Sequence, residues 1–177
     1  MAVGFKSSRF KLLGDVQIWP EAGIMALNLF DLKEQMAFVL VNVHADWGRA
    51  GLYRNDFESA FKPVGPLVIG GDFNLDDFIK PGENQNKDIF DCLMETCQLN
   101  EFSSGLDFTA KSVHNASFPV KLDMVMGRRF IPLETFRIPS RFVHLVPHTR
   151  DEQFRLDDEN NHFSDHAALV VALEYES

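Results

Sequence analysis

One stretch constrains this chain more than any other: Pro66-Leu67-Val68-Ile69-Gly70-Gly71-Asp72-Phe73-Asn74. Leu67 to Gly70 make an unbroken run of the kind a buried, parallel-type strand needs. Gly71 admits backbone angles that a Cβ forbids, so the chain can turn sharply where that strand ends. Asp72 and Asn74 stand two apart, so in an extended segment both point one way while Phe73 turns to the core. A carboxylate that orients water beside an amide that donates to a phosphoryl oxygen suits phosphate-ester hydrolysis at the mouth of a sheet. The plainer reading is a strand followed by an Asx-rich turn. Taken alone, the segment favours that plainer reading. Three other patches shift the balance: Asn42-Val43-His44, Lys121-Leu122-Asp123-Met124-Val125 and Ser164-Asp165-His166.

The rest of the chain supplies the elements that carry these patches. Gly23 to Leu32 and Met36 to His44 flank Asp31-Leu32-Lys33-Glu34-Gln35, which predicts a hairpin. The second run is apolar on both faces, reads as central, and delivers Asn42 and His44 to its carboxyl end. Leu52 to Phe61 has Tyr53, Phe57, Ala60 and Phe61 on one helical face and is stopped by Pro63. Asp88 to Leu99 is a second helix, with Ile89, Phe90, Leu93 and Cys97 on one side. Strands are also expected at Met1 to Phe5, Val120 to Met126, Arg141 to Val146 and His166 to Tyr175. Asp76 to Lys87 reads as a loop, and the acidic block from Asp151 to Asn161 as a solvated one. Alternating strands and helices give an α/β rhythm.

Length and charge narrow the class. A chain of 177 residues is one domain by length, and no repeat or linker divides it. With 17 Phe against two Trp and two Tyr, the core should be rich in Phe. A net charge of −9 and a pI near 5.0 weaken the case for gripping duplex nucleic acid through its phosphates. They do not exclude an enzyme that brings a divalent cation to its phosphate. Cys92 and Cys97, five apart, would not face each other on a helix, so neither a disulfide framework nor a cysteine metal site is expected. No apolar run approaches a membrane span and no charged-then-apolar leader opens the chain, which favours a cytoplasmic setting. His114, His144, His148 and His162 follow no pattern and read as surface or loop residues.

Each of four expected strands thus carries polar residues near one end: His44, Asp72 with Asn74, Asp123, and Asp165 with His166. Such ends cluster in a sheet fold, and the crevice they form is the default binding site. An aspartate can hold a histidine in one tautomer, while a second aspartate orients the attacking water. The ordered set Asn42-Val43-His44, Gly71-Asp72-Phe73-Asn74, Phe108-Thr109 before Lys121 to Val125, and Ser164-Asp165-His166 resembles the endonuclease/exonuclease/phosphatase superfamily. Any one of these motifs is weak; their order and spacing together are strong.

The resemblance implies an α+β fold of two packed, mainly antiparallel sheets flanked by helices, the deoxyribonuclease I-like sandwich. It implies a metal-dependent phosphoesterase acting on nucleic acid, a phosphorylated small molecule or a lipid head group. His44 would contact the phosphate or protonate the leaving group, Asp72 would activate water, and Asn74 would help hold the phosphate. Asp123 would support a histidine or a second metal position, Asp165 would pair with histidine or hold metal, and His166 would bind phosphate or act as base. Asn42, Thr109 and Arg128 are substrate-binding candidates, although a solvated strand exit is the plainer fate of Arg128 and Arg129.

The chain also departs from the family pattern. No residue matches the family's principal Mg²⁺-binding glutamate, and Val3 to Phe10 looks like the strand just after it, with Glu21 on the wrong side. The single domain over residues 1–177 is therefore expected to lack its N-terminal strands. Mg²⁺ or Mn²⁺ should bind weakly, and hydrolysis should be poor. The alternative is a non-catalytic, phosphate-binding remnant, with a plain interaction domain as a third reading. An uncovered sheet would favour a homo-oligomer, a strand-swapped pair or poor solubility. Ala110-Lys111 stands where the family often has an aromatic and a basic residue.

Overall fold

The computed structural model describes residues 3–46, 49–62, 64–75, 85–104, 106, 110–111, 119–120, 122–138 and 168–176. In chain order the strands are β1 (Phe10–Leu12), β2 (Gln17–Trp19), β3 (Ile24–Asp31), β4 (Met36–His44) and β5 (Leu67–Asp72). They continue as β6 (Asn100–Glu101), β7 (Ala110–Lys111), β8 (Pro119–Val120), β9 (Asp123–Arg128), β10 (Phe130–Ile138) and β11 (Ala168–Tyr175). Between β4 and β5 lie a 3₁₀ turn, Ala50–Tyr53, and helix α1 (Arg54–Phe61). Helix α2 (Gln85–Thr96) follows β5. A seven-stranded sheet runs β1-β3-β4-β5-β9-β6, with β2 also on β3, and a second sheet is the pair β10-β11.

The hairpin of β3 and β4 forms as expected, in register from Ile24↔Val43 to Asp31↔Met36. Its turn is held by one carboxylate. Asp31, 1% exposed, accepts Arg9 Nε at 3.2 Å and Nη2 at 3.0 Å on one oxygen, and the amides of Lys33 and Glu34 on the other. The β4–β5 pair is parallel and the other described pairs are antiparallel. A parallel pair needs a crossover, which here is the 3₁₀ turn and α1. The α/β rhythm of the sequence therefore yields one parallel step inside a mainly antiparallel sheet.

Both helices cover one face of the large sheet. Ile24, Val41, Val43, Leu67, Ile69 and Met126 from the sheet form one buried cluster with Phe57, Phe61, Phe90 and Leu93 from the helices. The core is rich in Phe, as the composition suggests. Phe90 of α2 meets Phe57 at 5.0 Å and Phe73 at 4.8 Å, both edge to face. Each such pair contributes about 0.5–1.5 kcal/mol beyond its buried area. On the opposite face, Phe38 of β4 meets Phe130 at 6.0 Å and Tyr175 at 6.4 Å, which seats the β10-β11 sheet against the first. Burial first, and then the charge on Asp31, push the Tyr175 hydroxyl up to about 12.

Several elements differ from the sequence reading. Residues 3–6 form no strand. The chain first pairs at β1, because the amides of Arg9 and Phe10 donate to the Lys6 carbonyl in a turn that delivers Phe10 opposite Asp31. The expected strand from Val120 to Met126 splits into β8 and β9. Strand β10 carries no strand pattern in the sequence because Pro132 interrupts it, at the register shift between Pro132 and Glu134. Proline is tolerated at such irregularities. The expected strand at Arg141 to Val146 and the acidic block after Asp151 lie outside the described residues. Among the described residues, no helix is long and apolar enough to cross a membrane.

The Asp31 turn carries a testable stability term. Burial pushes this carboxyl up, but the hydrogen bonds from Arg9, Glu34 and Lys33 outweigh burial and hold it below the ordinary carboxylate range. A depressed folded value means stability that is present at neutral pH and lost as pH falls through that value. Arg9→Ala should cost about 1.5–3 kcal/mol at pH 7, the range for hydrogen bonds to a charged group. Urea midpoints measured down the pH scale should show the gap between the two proteins closing below about pH 4. A gap that stays constant to pH 2 would contradict this account.

Candidate active site at the ends of β4, β5 and β9

Pairing register alone lines up three of the expected site residues. His44 ends β4 opposite Asp72 at the end of β5, and Asp72 stands opposite Asp123 at the start of β9. His44 Nε2 is 3.8 Å from Asp72 Oδ2, close enough for charge attraction but too long for a hydrogen bond. The imidazole is 67% exposed and the Asp72 side chain 17%, so the histidine faces solvent over a sheltered carboxylate.

Two glycines allow this alignment. Gly71 has φ +145°, and a Cβ there would overlap the Val43 carbonyl oxygen. Gly23 has φ +66°, and a Cβ there would overlap the carbonyl oxygen of His44. Neither position tolerates a side chain without moving the backbone that carries the histidine. Beyond the strands, Ala45 N donates to Asp72 O at 2.9 Å and Phe73 N to Leu122 O at 2.8 Å, so the three strand ends stay tied.

Asn74 is close by, with φ +51°. Its backbone amide donates to Asp72 Oδ1 at 2.9 Å, the Asx turn of the plainer reading, and its Nδ2 donates to the Ala45 carbonyl at 2.7 Å. Both the turn and the strand-end placement are therefore present at once. Asn42 lies two residues before His44, in register with Gly70. With Asp123 it lines a cavity of about 690 Å³ between the two sheets.

Nothing in the sequence marks Asn86, which falls in the stretch that reads as a loop. It is fully buried in the first turn of α2. Its Oδ1 accepts the Ala50 amide at 3.0 Å, and its Nδ2 donates to Asp46 O at 3.1 Å and Phe73 O at 3.2 Å. It thereby fastens the segment after His44 to the segment after Asp72. An isolated Asn ahead of an apolar helical face gave no signal, because all three partners are backbone groups distant in sequence.

Arg128 is placed elsewhere. It occupies the far end of β9, opposite Leu67, at the other end of the strand from Asp123. It is not a solvated strand exit either. Its Nε donates to Gly65 O at 3.1 Å, and its Nη1 donates to Phe61 O at 3.3 Å and Cys97 O at 2.7 Å. Phe61 ends α1 and Cys97 directly follows α2, so the cation sits at the negative ends of both helix dipoles. Thr109, Asp165 and His166 lie outside the described residues.

Among the described residues, no group of three or more His, Cys, Asp or Glu side chains is placed to hold a metal ion. Of the two Asp72 oxygens, one accepts the Asn74 amide and the other faces His44.

The mainly antiparallel sandwich with polar residues at its strand ends has the fold of the endonuclease/exonuclease/phosphatase proteins, the deoxyribonuclease I-like class. Solved structures make the likeness particular. An endonuclease/exonuclease/phosphatase from Bacteroides vulgatus aligns at TM-score 0.56 and 13% identity, over 97% of this chain and 69% of that one. A mannosyl-6-phosphatase from Bacteroides thetaiotaomicron aligns at TM-score 0.56 and 14% identity, over 97% and 69%. The human Nocturnin catalytic domain with bound sulfate aligns at TM-score 0.58 and 15% identity, over 97% and 62%. At such identities the likeness is one of fold, and each of these chains is longer than this one. No protein-family profile matches the sequence, and no curated protein matches it.

Asn86 offers a direct test of how the site end is held. Asn86→Ala leaves Ala50 N, Asp46 O and Phe73 O without their partner, at about 1–3 kcal/mol for each group that stays buried. Urea unfolding should show a loss of at least that size, and amide exchange at Ala50 should accelerate. An unchanged midpoint together with an unchanged Ala50 exchange rate would remove Asn86 from this role.

Proposed function

We propose that this chain is a phosphoesterase of the endonuclease/exonuclease/phosphatase kind, acting on a phosphate ester through the row His44–Asp72–Asp123. The observation that carries the reading is the register, which sets one imidazole and two carboxylates side by side on adjacent strand ends. The occurrence of this fold among nucleases and phosphatases supports it. In this reading Asp72 orients the attacking water and His44 contacts the phosphate or protonates the leaving oxygen. Asn74 holds the turn that presents Asp72. Asp165, His166 and Thr109 complete the site in the roles that the resemblance gives them.

A divalent cation belongs to the proposal only as a weakly held ion, Mg²⁺ or Mn²⁺, with Asp165 as its position. Such an ion would offset charge on the phosphoryl oxygens. Slow turnover is the expected consequence, because the described carboxylates are committed to neighbouring groups. A second reading, a phosphate-binding protein without turnover, is favoured by Asp72, whose two carboxylate oxygens already face the Asn74 amide and His44. The net charge of −9 favours a small phosphorylated substrate over tight duplex binding.

Inorganic phosphate titrated into the labelled protein should shift the signals of His44, Ala45, Asp72 and Asn74, and His44→Ala should abolish the response. Shifts confined to other parts of the chain would sink the site. Hydrolysis of a chromogenic phosphodiester and a monoester, with Mg²⁺, with Mn²⁺ and with chelator, then separates the two readings. Slow turnover lost on Asp72→Asn supports the enzyme. Phosphate binding without turnover supports the binding protein.

A further inference from the structure

We propose that the phosphate ester taken by the row His44–Asp72–Asp123 carries an apolar alkyl group, which enters the cavity between the two sheets. The inference rests on the phosphoesterase reading and adds the class of substrate to it. Row and cavity share one face of the large sheet. Val41 and Val43 of β4, Leu67 and Ile69 of β5, and Met124 and Met126 of β9 pack in the core on the helix side. Side chains alternate along a strand, so Leu40, Asn42, His44, Val68, Asp72, Asp123 and Val125 turn to the other face. Asn42 and Asp123 line the cavity of about 690 Å³ with Leu40, Val68 and Val125, and Leu169, Val171 and Leu173 of β11 form the opposite wall. Val3 and Gly4 border it as well.

The pairing register orders this face from polar to apolar. Below the row His44–Asp72–Asp123 comes the row Asn42–Gly70–Val125, and Leu40 is in register with Val68 below that. Successive rows are two residues apart, about 6.6 Å, so a phosphate at the first row sets the carbons of its ester against the second. Gly70, in the middle of that second row, leaves the way clear. Unlike Gly71 and Gly23 it has no positive φ, and a Cβ there would make ordinary contacts, 3.6 Å from Val125 Cγ2 and 3.8 Å from Met124 O. The backbone therefore does not require a glycine at 70, and its effect is open space. The cavity has the volume of a pocket for an organic ligand, and such pockets are mostly apolar with a few placed polar groups. Its apolar wall gives water few hydrogen-bond partners, which favours replacing water there with hydrocarbon.

The probes are methylphosphonate and octylphosphonate, which share a phosphoryl head on a P–C bond that water does not cleave. Binding to the full chain is followed by NMR. Both should shift the signals of His44 and Asp72. Octylphosphonate should bind at least about thirtyfold more tightly, a small part of what seven buried methylenes can contribute. Its chain protons should show magnetisation transfer to the methyl groups of Leu40, Val68 and Val125, read in the unaltered chain. Gly70→Val should remove most of the octyl advantage and leave methylphosphonate binding unchanged. Equal affinities, with the row shifted by both probes, would overturn this proposal and leave the phosphoesterase reading standing. Octyl contacts elsewhere on the chain, or an advantage that survives in a folded Gly70→Val variant, would overturn it as well. A row unmoved by either probe would sink both readings.

Discussion

A Cβ on residue 71 would overlap the carbonyl oxygen of Val43, and this contact governs how β4 and β5 can lie together. The two strands form the one parallel pair described in the sheet, and they carry His44 and Asp72 at their ends. Any side chain at 71 must either push β4 outward or shift the register. A shift of one residue would turn Asp72 to the helix-covered face and Phe73 to the other. The glycine therefore does more than permit a turn. It fixes which residues meet at the strand ends.

The same strand is anchored at both of its ends by side chains as well as by the ladder. At the start of β5, Arg128 gathers the carbonyls of Gly65, Phe61 and Cys97, so the last turns of both helices and the lead-in to the strand share one cation. Desolvation lowers the pKa of that guanidinium, and three carbonyl acceptors with two helix dipoles keep it charged without a carboxylate. At the far end, Phe73 is buried against Phe90, and Asn86 reaches from α2 to the Phe73 carbonyl. The helices thus position the strand lengthwise, while the neighbouring strands position it sideways.

The placement of the candidate residues was legible where chemistry coincides with the end of an apolar run. His44, Asp72 and Asp123 each close or open such a run, and alternation alone put Phe73 in the core. The β3–β4 hairpin was legible for the same reason, since two long apolar runs flank a polar turn. Interactions with backbone acceptors were not legible. Arg128 looked like a charge leaving a strand, because its three carbonyl partners have no side-chain signature. Asn86 was silent for the same cause. Strand β10 was hidden by Pro132 and by exposed Ile131 and Leu133, which break the alternation that marks a half-buried strand.

The row His44–Asp72–Asp123 has a consequence for the order in which the molecule acquires its chemistry. The β3–β4 hairpin is local and can close early. The β4–β5 pairing must wait for the crossover, and β5–β9 must wait for α2 and the segment beyond it. Non-local pairings of this kind form late, because the loops that separate them must be closed before any contact rewards the cost. The three side chains reach one another only across long stretches of sequence. A partly folded chain can therefore hold helices, the hairpin and much of its aromatic core while having no site at all. Chemistry at this row would be a property of the finished sheet.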